Sequence, residues 1–420
     1  MIEKDLQDSQ FELTGSPMTR IGFAYNMKPP ASAADHSADS KTEESGPLAS
    51  PSAPRNASGQ KPARVAGQEP PDIDDEFAEW DSIETIEAVS DALSRLGTVI
   101  HLEATENFPA RLLEAKPDIV FNIAEGRRGP NREAHVPAIL EFLNVPYSGS
   151  DPFTLALCLD KSRTKETLSF YGIPTPPFAR VTQLEQLEVF SRRSFPTFVK
   201  PVHEGSSKGI TERSICRTYD ELRDQTSFLL ERYREPVLVE AFLPGEEFTC
   251  AIMGNGNDLS LLPVIGMRFD ALPPGAPPIF GFEAKWIWDT RERPLPIYEC
   301  PARIDEGLRE SLETVALRTY AALGCRDWAR IDLRLDAKGV PNVVEVNPLP
   351  GIAPNPDDHS CFPMAARAGG MQYDELMQRV LLLAASRHGL SVPKDPRFPK
   401  LARRTPPHGL PIRELDQRTA

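Results

Sequence analysis

The stretch from Asp327 to Gly351 carries side chains whose types and spacing suit phosphate chemistry. Its run DWARIDLRL alternates, with Ile331, Leu333 and Leu335 on one side and Arg330, Asp332 and Arg334 on the other. That period of two predicts a strand with one buried and one polar face. After Asp336-Ala337-Lys338-Gly339, which supplies a glycine for a turn, Val344 and Val346 point one way and Glu345 and Asn347 the other. Paired as a hairpin, the two runs bring Asp332, Glu345 and Asn347 onto one face. Oxygen-bearing side chains so placed suit a hard cation, magnesium first and manganese as its substitute, that completes its shell with water and phosphate. One such hairpin alone would equally be a solvated sheet face. Arg330 beside the carboxylates favours a site that handles phosphate and a developing oxyanion.

A second set of residues is basic or small. Lys200 ends the run FPTFVKP, and Gly205-Ser206-Ser207-Lys208-Gly209 follows with backbone N–H groups, hydroxyls and little bulk. Such a loop closes over phosphates as a flap, or is a flexible hairpin turn; it does not have the Walker spacing. Lys161, after Asp160, and Lys285, in Glu283-Ala284-Lys285, add two lysines, each weak when taken singly. In VEAFLPGEEF, Glu240 ends a strand and Glu247 returns after a Pro–Gly turn. That crossing can present backbone groups to an adenine and a carboxylate to ribose hydroxyls, and a plain hairpin reads the same way.

The elements that must position these residues follow in order. RIGFAYN reads as a buried strand, the spacing Ile83, Ile86, Val89, Leu93, Leu96 as a helix stopped by Gly97, TVIHLEA as a strand, PARLLEA as a helix and PDIVFNI as a strand. After it come the loop AEGRRGPNRE and a helix around HVPAILEFL. Alternating β and α units predict a mostly parallel sheet covered by helices, with ligands where strand C-termini open into loops; Glu125 and Arg127–Arg128 sit at one such position. Then come a helix in LDKSRTKETLSFYG, the strand FPTFVKP, the helix TYDELRDQTSFLLERY, a strand–turn–strand in EPVLVEAFLPGEEFTCAIM, a long helix starting near Asp305 and capped by Gly324, and a last helix at Tyr373–Arg387.

At 420 residues the chain should form two or three domains. Forty-seven basic against 61 acidic residues, a net charge of −14, argue against nucleic acid and anionic membranes as partners. Six scattered cysteines without a CxxC pair argue against zinc and for reduced thiols. No signal-peptide pattern or membrane-length apolar run is visible, so a cytoplasmic protein is expected. Residues 29–72, poor in large aliphatics, read as a disordered insertion inside the first domain. Residues 1–17 read as an extension, with Met18 a candidate start, and the proline-rich basic segment after Gly389 as a loosely ordered tail.

The motifs NVPYSGSDPFTLALCLDKSRTK, FVKPVHEGSSKGI, VLVEAFLPGEEFT, FEAKW, GCRDWARIDL, VVEVNPLPG and HSCFPMAAR, in this order and spacing over about residues 98–385, resemble the ATP-grasp superfamily and, within it, the D-alanine–D-alanine ligases. The resemblance implies a three-domain α/β and α+β architecture: an N-terminal α/β domain at 18–155, a central ATP-grasp subdomain with the flap at 156–240, and a C-terminal subdomain with the metal site at 241–390, before a tail at 391–420. It implies that Lys161, Lys200 and Lys285 contact ATP phosphates, with Ser206 and Ser207 closing over them. Glu240, Ala241 and Leu243 would line the adenine pocket and Glu247 hold the ribose. Asp332, Glu345 and Asn347 would bind two magnesium ions. Arg330 and the Gly351 N–H would stabilise the tetrahedral intermediate, and Ser360 would hold the second amino acid's carboxylate. The implied reaction is ATP phosphorylation of a carboxylate, then attack by an amine to form an amide. A homodimer is the implied assembly.

The chain departs from the family at its amino end. The first strand runs into Asn26-Met27-Lys28-Pro29-Pro30 where the family has a glycine-rich loop with a Ser and a Glu, the later HG-containing loop is replaced by Asn122-Ile123-Ala124-Glu125-Gly126, and Trp286 follows Lys285 where Tyr is common. Glu125 is therefore the candidate ammonium partner for the first substrate; the other reading is a loop carboxylate paired with Arg127 or Arg128. The function expected is a D-alanine–D-alanine ligase-like enzyme. The alternatives are the same chemistry on another amino acid or peptide, and a catalytically inactive ATP-binding regulatory module.

Overall fold

Strand β1 (Arg20–Tyr25) is buried along its length except at Arg20, as the apolar run RIGFAY requires of a central parallel strand. It lies between β2 (Thr98–Glu103) and β3 (Ile119–Asn122), parallel to both. Helix α1 (Ile83–Ser94), capped by the Ser82 hydroxyl, and α2 (Phe108–Ala115) connect these strands, and α3 (His135–Phe142) follows them. The computed structural model of the protein describes residues 20–29, 77–192, 194–291, 293–391 and 403–404. The extension at 1–17, nearly all of the 29–72 insertion and most of the tail lie outside these residues.

Two further helices, α4 (Pro152–Leu159) and α5 (Lys161–Phe170), replace the single helix expected there. Asp160 ends the first in an extended conformation and caps the second, its carboxylate accepting from the N–H groups of Ser162 and Arg163. A four-stranded antiparallel sheet follows, in the order β4 (Phe178–Val181), β7 (Val237–Ala241), β5 (Thr197–Pro201) and β6 (Ile215–Cys216), with α6 (Tyr219–Tyr233) packed on it.

The third sheet has seven strands, all paired antiparallel. Its spine is β11 (Tyr298–Glu299), β10 (Ile265–Met267), β8 (Glu247–Asn255), β12 (Asp327–Leu335) and β13 (Pro341–Asn347), and β9 (Asp258–Leu261) branches from β8. The turn between Ala241 and Glu247 therefore joins two sheets and is not a plain hairpin. The tail is not wholly loose, because Arg403–Arg404 pair with Ser260 and Leu259. Helix α7 (Glu306–Leu323), capped by Asp305 and closed by Gly324 at φ +72°, packs its Leu312 and Val315 against the sheet face carrying Ile331, Leu333 and Val343. Helices α8 (Cys361–Ala368) and α9 (Tyr373–Arg387) cover the other side.

The first and third sheets share a core. Trp328 packs edge-on against Phe121 at 5.8 Å and Phe362 at 5.5 Å, and Gln378 of α9 donates to the Ala92 carbonyl of α1 at 2.9 Å. Both sheets therefore present fixed edges to the cleft described next.

Candidate active site

Strands β12 and β13 pair as expected, Asp332 opposite Glu345 and Arg330 opposite Asn347. A bulge after Asp332 skips Val344. Val343 and Val346 enter the core, while Val344 lines the cavity, which corrects the expectation that Val344 and Val346 share a side. Arg330 holds Asp332 with its Nη2 at 2.9 Å, and Thr249 of the neighbouring strand donates to the same carboxylate at 2.8 Å. Burial alone would raise the Glu345 carboxyl, but Lys161, Lys200 and Arg330 hold it down at about 2. Glu345 is thus an anion at any working pH.

The lysines converge on this hairpin from three elements. Lys161, first residue of α5, reaches Glu345 at 3.0 Å and donates to the Glu204 carbonyl at 2.7 Å. Lys200, on β5, pairs with Glu240 at 2.9 Å; burial works to lower its ammonium, and Glu240 outweighs burial. Lys285, in the π-helical turn Ala284–Trp288, donates to the Ser206 hydroxyl at 3.3 Å, and burial with Arg330 nearby lowers its ammonium. The flap loop places Ser206 and Ser207 in left-handed backbone at φ +50° and +61°. Ser207 donates to the Phe280 carbonyl at 3.0 Å and Trp286 to the Ser206 carbonyl at 3.1 Å, so the loop lies against the cavity mouth.

These groups line one cavity of about 640 Å³, with Ala241, Leu243, Glu247, Gly351 and Ser360. Glu247 is paired with Arg334 at 3.0 Å, and the Ser360 hydroxyl donates to the Gly351 carbonyl at 2.8 Å. Glu125 lines the same cavity. Its expected alternative partner Arg127 pairs with Glu106 instead, and among the described residues neither Arg127 nor Arg128 bridges to Glu125.

Three features escaped the sequence reading. Lys165, one helical turn after Lys161, is buried against Glu240 at 2.8 Å and lowered to about 8 chiefly by burial; the i, i+4 spacing was its available signal. Asp81 and Glu133 join Glu125 on the cavity wall, and burial pushes each up to about 8. Glu79 contacts the flap from the amino-terminal side.

The donor set fits a divalent metal of the hard kind. Among the described residues no cluster of three or more His, Cys, Asp and Glu forms a metal cage. Asp332, Glu345 and Asn347 offer two carboxylates and an amide, the sparse protein share that magnesium takes when phosphates complete its shell.

Three sheets clamping a cleft lined by lysines and carboxylates define an ATP-grasp enzyme. The structure superposes on the D-alanine–D-alanine ligase from Bacillus anthracis complexed with ATP with a TM-score of 0.58 at 22% identity, covering 88% of this chain and 98% of that one. The family model "D-ala D-ala ligase C-terminus" matches residues 168–382. The chain is 36% identical to the D-alanine–D-alanine ligase of Bordetella avium (strain 197N), over 70% of this chain and 86% of the relative. It is also 34% identical to the "Uncharacterized protein y4sG" of Sinorhizobium fredii (strain NBRC 101917 / NGR234), over 68% and 81%. The chain belongs to the D-alanine–D-alanine ligase family and is an ATP-dependent ligase of that type.

Proposed function

We propose that the chain joins two amino acids, D-alanine in both positions, through an acyl phosphate. The observation that carries this reading is the convergence of Lys161, Lys200, Lys285, Arg330, Asp332, Glu345 and Asn347 on one cavity. A carboxylate oxygen of the first amino acid attacks the γ-phosphorus, the bond to the β-phosphate oxygen breaks, and ADP leaves. The second amino acid's nitrogen then attacks the acyl carbon; the C–N bond forms, the C–O bond to phosphate breaks, and the nitrogen loses a proton.

Lys161, Lys200 and Lys285 neutralise the phosphates, and Arg330 with the Gly351 N–H receives the oxyanion. Ser206 and Ser207 close the flap. Glu240, Ala241 and Leu243 frame the adenine and Glu247 the ribose. Ser360 takes the second carboxylate and Glu125 the first ammonium. Asp332, Glu345 and Asn347 hold magnesium, which when bound neutralises and orients phosphate oxygens. The pairs Lys161–Glu345 and Arg330–Asp332 support this assignment. Nucleotide anion and metal cation entering together exchange partners with these pairs and strand no buried charge. Six free cysteines and the need for ATP fit a cytoplasmic setting; among the described residues no helix is long and apolar enough to cross a membrane.

The acidic wall formed by Asp81, Glu125 and Glu133 favours, as a second reading, a first substrate with an additional amine. The test is ADP release with ATP and magnesium across D- and L-amino acids, basic ones included, with product masses measured. A D-alanyl-D-alanine product, lost in Asp332→Asn, is expected. Amide formation only with other amino acids would overturn the D-alanine assignment, and no amide with any pair would overturn the ligase reading.

A further inference from the structure

We propose that Arg334 is a positioning residue that fixes the Glu247 carboxylate for a ribose hydroxyl, so that the site prefers a ribonucleotide to a deoxyribonucleotide. The proposal rests on the reading above that gives Glu247 the ribose. Arg334 follows Arg330 and Asp332 on the polar face of β12 and stands directly across the ladder from Glu247 of β8. Its Nη1 donates to Glu247 Oε2 at 3.0 Å and its Nη2 to the Pro278 carbonyl at 2.8 Å. The guanidinium lies against two aromatic rings, 4.9 Å from the centroid of Phe242 and 5.1 Å from that of Phe269. Arg334, Glu247 and Phe242 all line the cavity, yet only 7% of the Arg334 side chain and 19% of that of Glu247 are exposed. A planar fork packed on aromatic rings and held at two of its nitrogens has one orientation.

Glu247 takes its own orientation from that fork. With Oε2 engaged by Nη1, Oε1 is the oxygen offered to the nucleotide, and a carboxylate held in place binds a hydroxyl more tightly than one that must first be ordered. The turn from Ala241 to Glu247 is independent support. The Gly245 N–H donates to the Leu335 carbonyl at 3.0 Å, and the Leu335 N–H donates to the Glu246 carbonyl at 2.9 Å. A Cβ on Gly245 would lie 2.6 Å from Leu335 Cβ, while no left-handed backbone there would itself demand glycine. Close approach of the turn to the end of β12 is therefore what the missing side chain allows. That approach seats Phe242 and Glu247 on either side of the turn against the same guanidinium. Arg334 also ties down Pro278, whose neighbours Ile279 and Phe280 line the cavity. A lysine would not serve, because one ammonium has neither the fork for two acceptors nor a face to stack. A buried charge pair aimed at one hydroxyl discriminates against the nucleotide that lacks it, since the carboxylate is then left short of a donor.

The readout is the dissociation constant of 2′-deoxy-ATP or 3′-deoxy-ATP divided by that of ATP, measured by calorimetry on the full chain with magnesium chloride. No amino acid is needed, so the identity of the joined substrates does not enter. In wild-type protein at least one deoxynucleotide should bind about tenfold to a hundredfold more weakly than ATP, the worth of one hydrogen bond to a charged group. Arg334→Met should bind ATP more weakly and reduce that ratio to about threefold or less, with Arg334→Lys between. A merely structural Arg334 would weaken ATP and both deoxynucleotides alike and leave the ratio where it was. That result in folded Arg334→Met, or a wild-type ratio of about one, would overturn the proposal. If Arg334→Met does not fold, Arg334→Lys decides alone, and a wild-type ratio there overturns the proposal too. Glu247→Ala separates this inference from the reading beneath it. It should bring the ratio to about one, and no change in Glu247→Ala would remove the ribose assignment and this proposal with it.

Discussion

Burial, with Glu133, Glu79 and Asp81 nearby, holds the Glu125 carboxyl well above the usual carboxylate range. Asp81 and Glu133 are pushed up to about 8. All three therefore retain protons near neutrality when no cation faces them. A substrate ammonium favours the ionised form, so it must displace a proton to bind, and its affinity rises with pH. The sign on stability is the reverse. A carboxyl raised in the folded state contributes stability below its unfolded pKa, about 4, and loses it as pH climbs through about 8. An ammonium ligand should restore that loss, giving a larger ligand-induced rise in melting temperature at about pH 8 than at about pH 6. In Glu125→Gln the first-substrate KM should rise roughly tenfold to a hundredfold, the worth of one charged hydrogen bond at about 1.5–3 kcal/mol. The pH dependence of KM should also flatten. An unchanged KM would remove Glu125 from the pocket.

The flap is rooted where β5 ends, and His203 makes that root. Its ring nitrogens face Glu235 at 3.0 Å and Asp160 at 3.4 Å, so it ties the flap to the cap of the helix that carries Lys161. Burial works to lower the imidazolium, but the two carboxylates outweigh it and raise His203 to about 9. This stability is fully present below the unfolded value and is lost as pH rises through about 9. At pH 7 that is about 2–3 kcal/mol. His203→Asn should therefore lower the melting temperature markedly at about pH 7 and little at about pH 10; an equal drop at both would show that packing, not charge, is at stake. At this scale local periodicity was a good guide. Alternation in the two runs put Asp332, Glu345 and Asn347 on one face of an expected hairpin, the two strands do pair, with Asp332 opposite Glu345, and α9 falls on Tyr373–Arg387 as read. It failed where one residue redirects the chain. Asp160 breaks a continuous helical pattern by capping the next helix, and the bulge after Asp332 turns Val344 from core to cavity. Neither event changes the run of apolar and polar letters.

What the sequence hid at the scale of the whole molecule are contacts between distant segments. Glu79 meets Gly205 across 126 positions and Lys165 meets Val343 across 178, and no periodic pattern encodes such pairs. The motifs around Lys161, Lys200 and Glu345 were legible because each is local, even though the cavity they share is not. The same tertiary stitching decides what the 29–72 segment contributes. Lys28 donates its N–H to the Asp81 carbonyl at 2.8 Å, and Asp81 donates to the Asn26 carbonyl at 3.0 Å, so the chain returns beside the point where it left. The ends are held by β1 and α1 and need no intervening residues to find each other. Composition gives residues 31–72 little apolar surface to bury, and shortening such a loop lowers its closure cost by about 1 kcal/mol. Replacing them with about six Gly and Ser residues should leave soluble protein with an unchanged or slightly higher melting temperature. Residues 77–80 must stay, because Glu79 and the Trp80 indole, which donates to the Gly126 carbonyl at 3.2 Å, anchor the amino-terminal side of the cleft. Loss of soluble protein would show that the segment supports the fold.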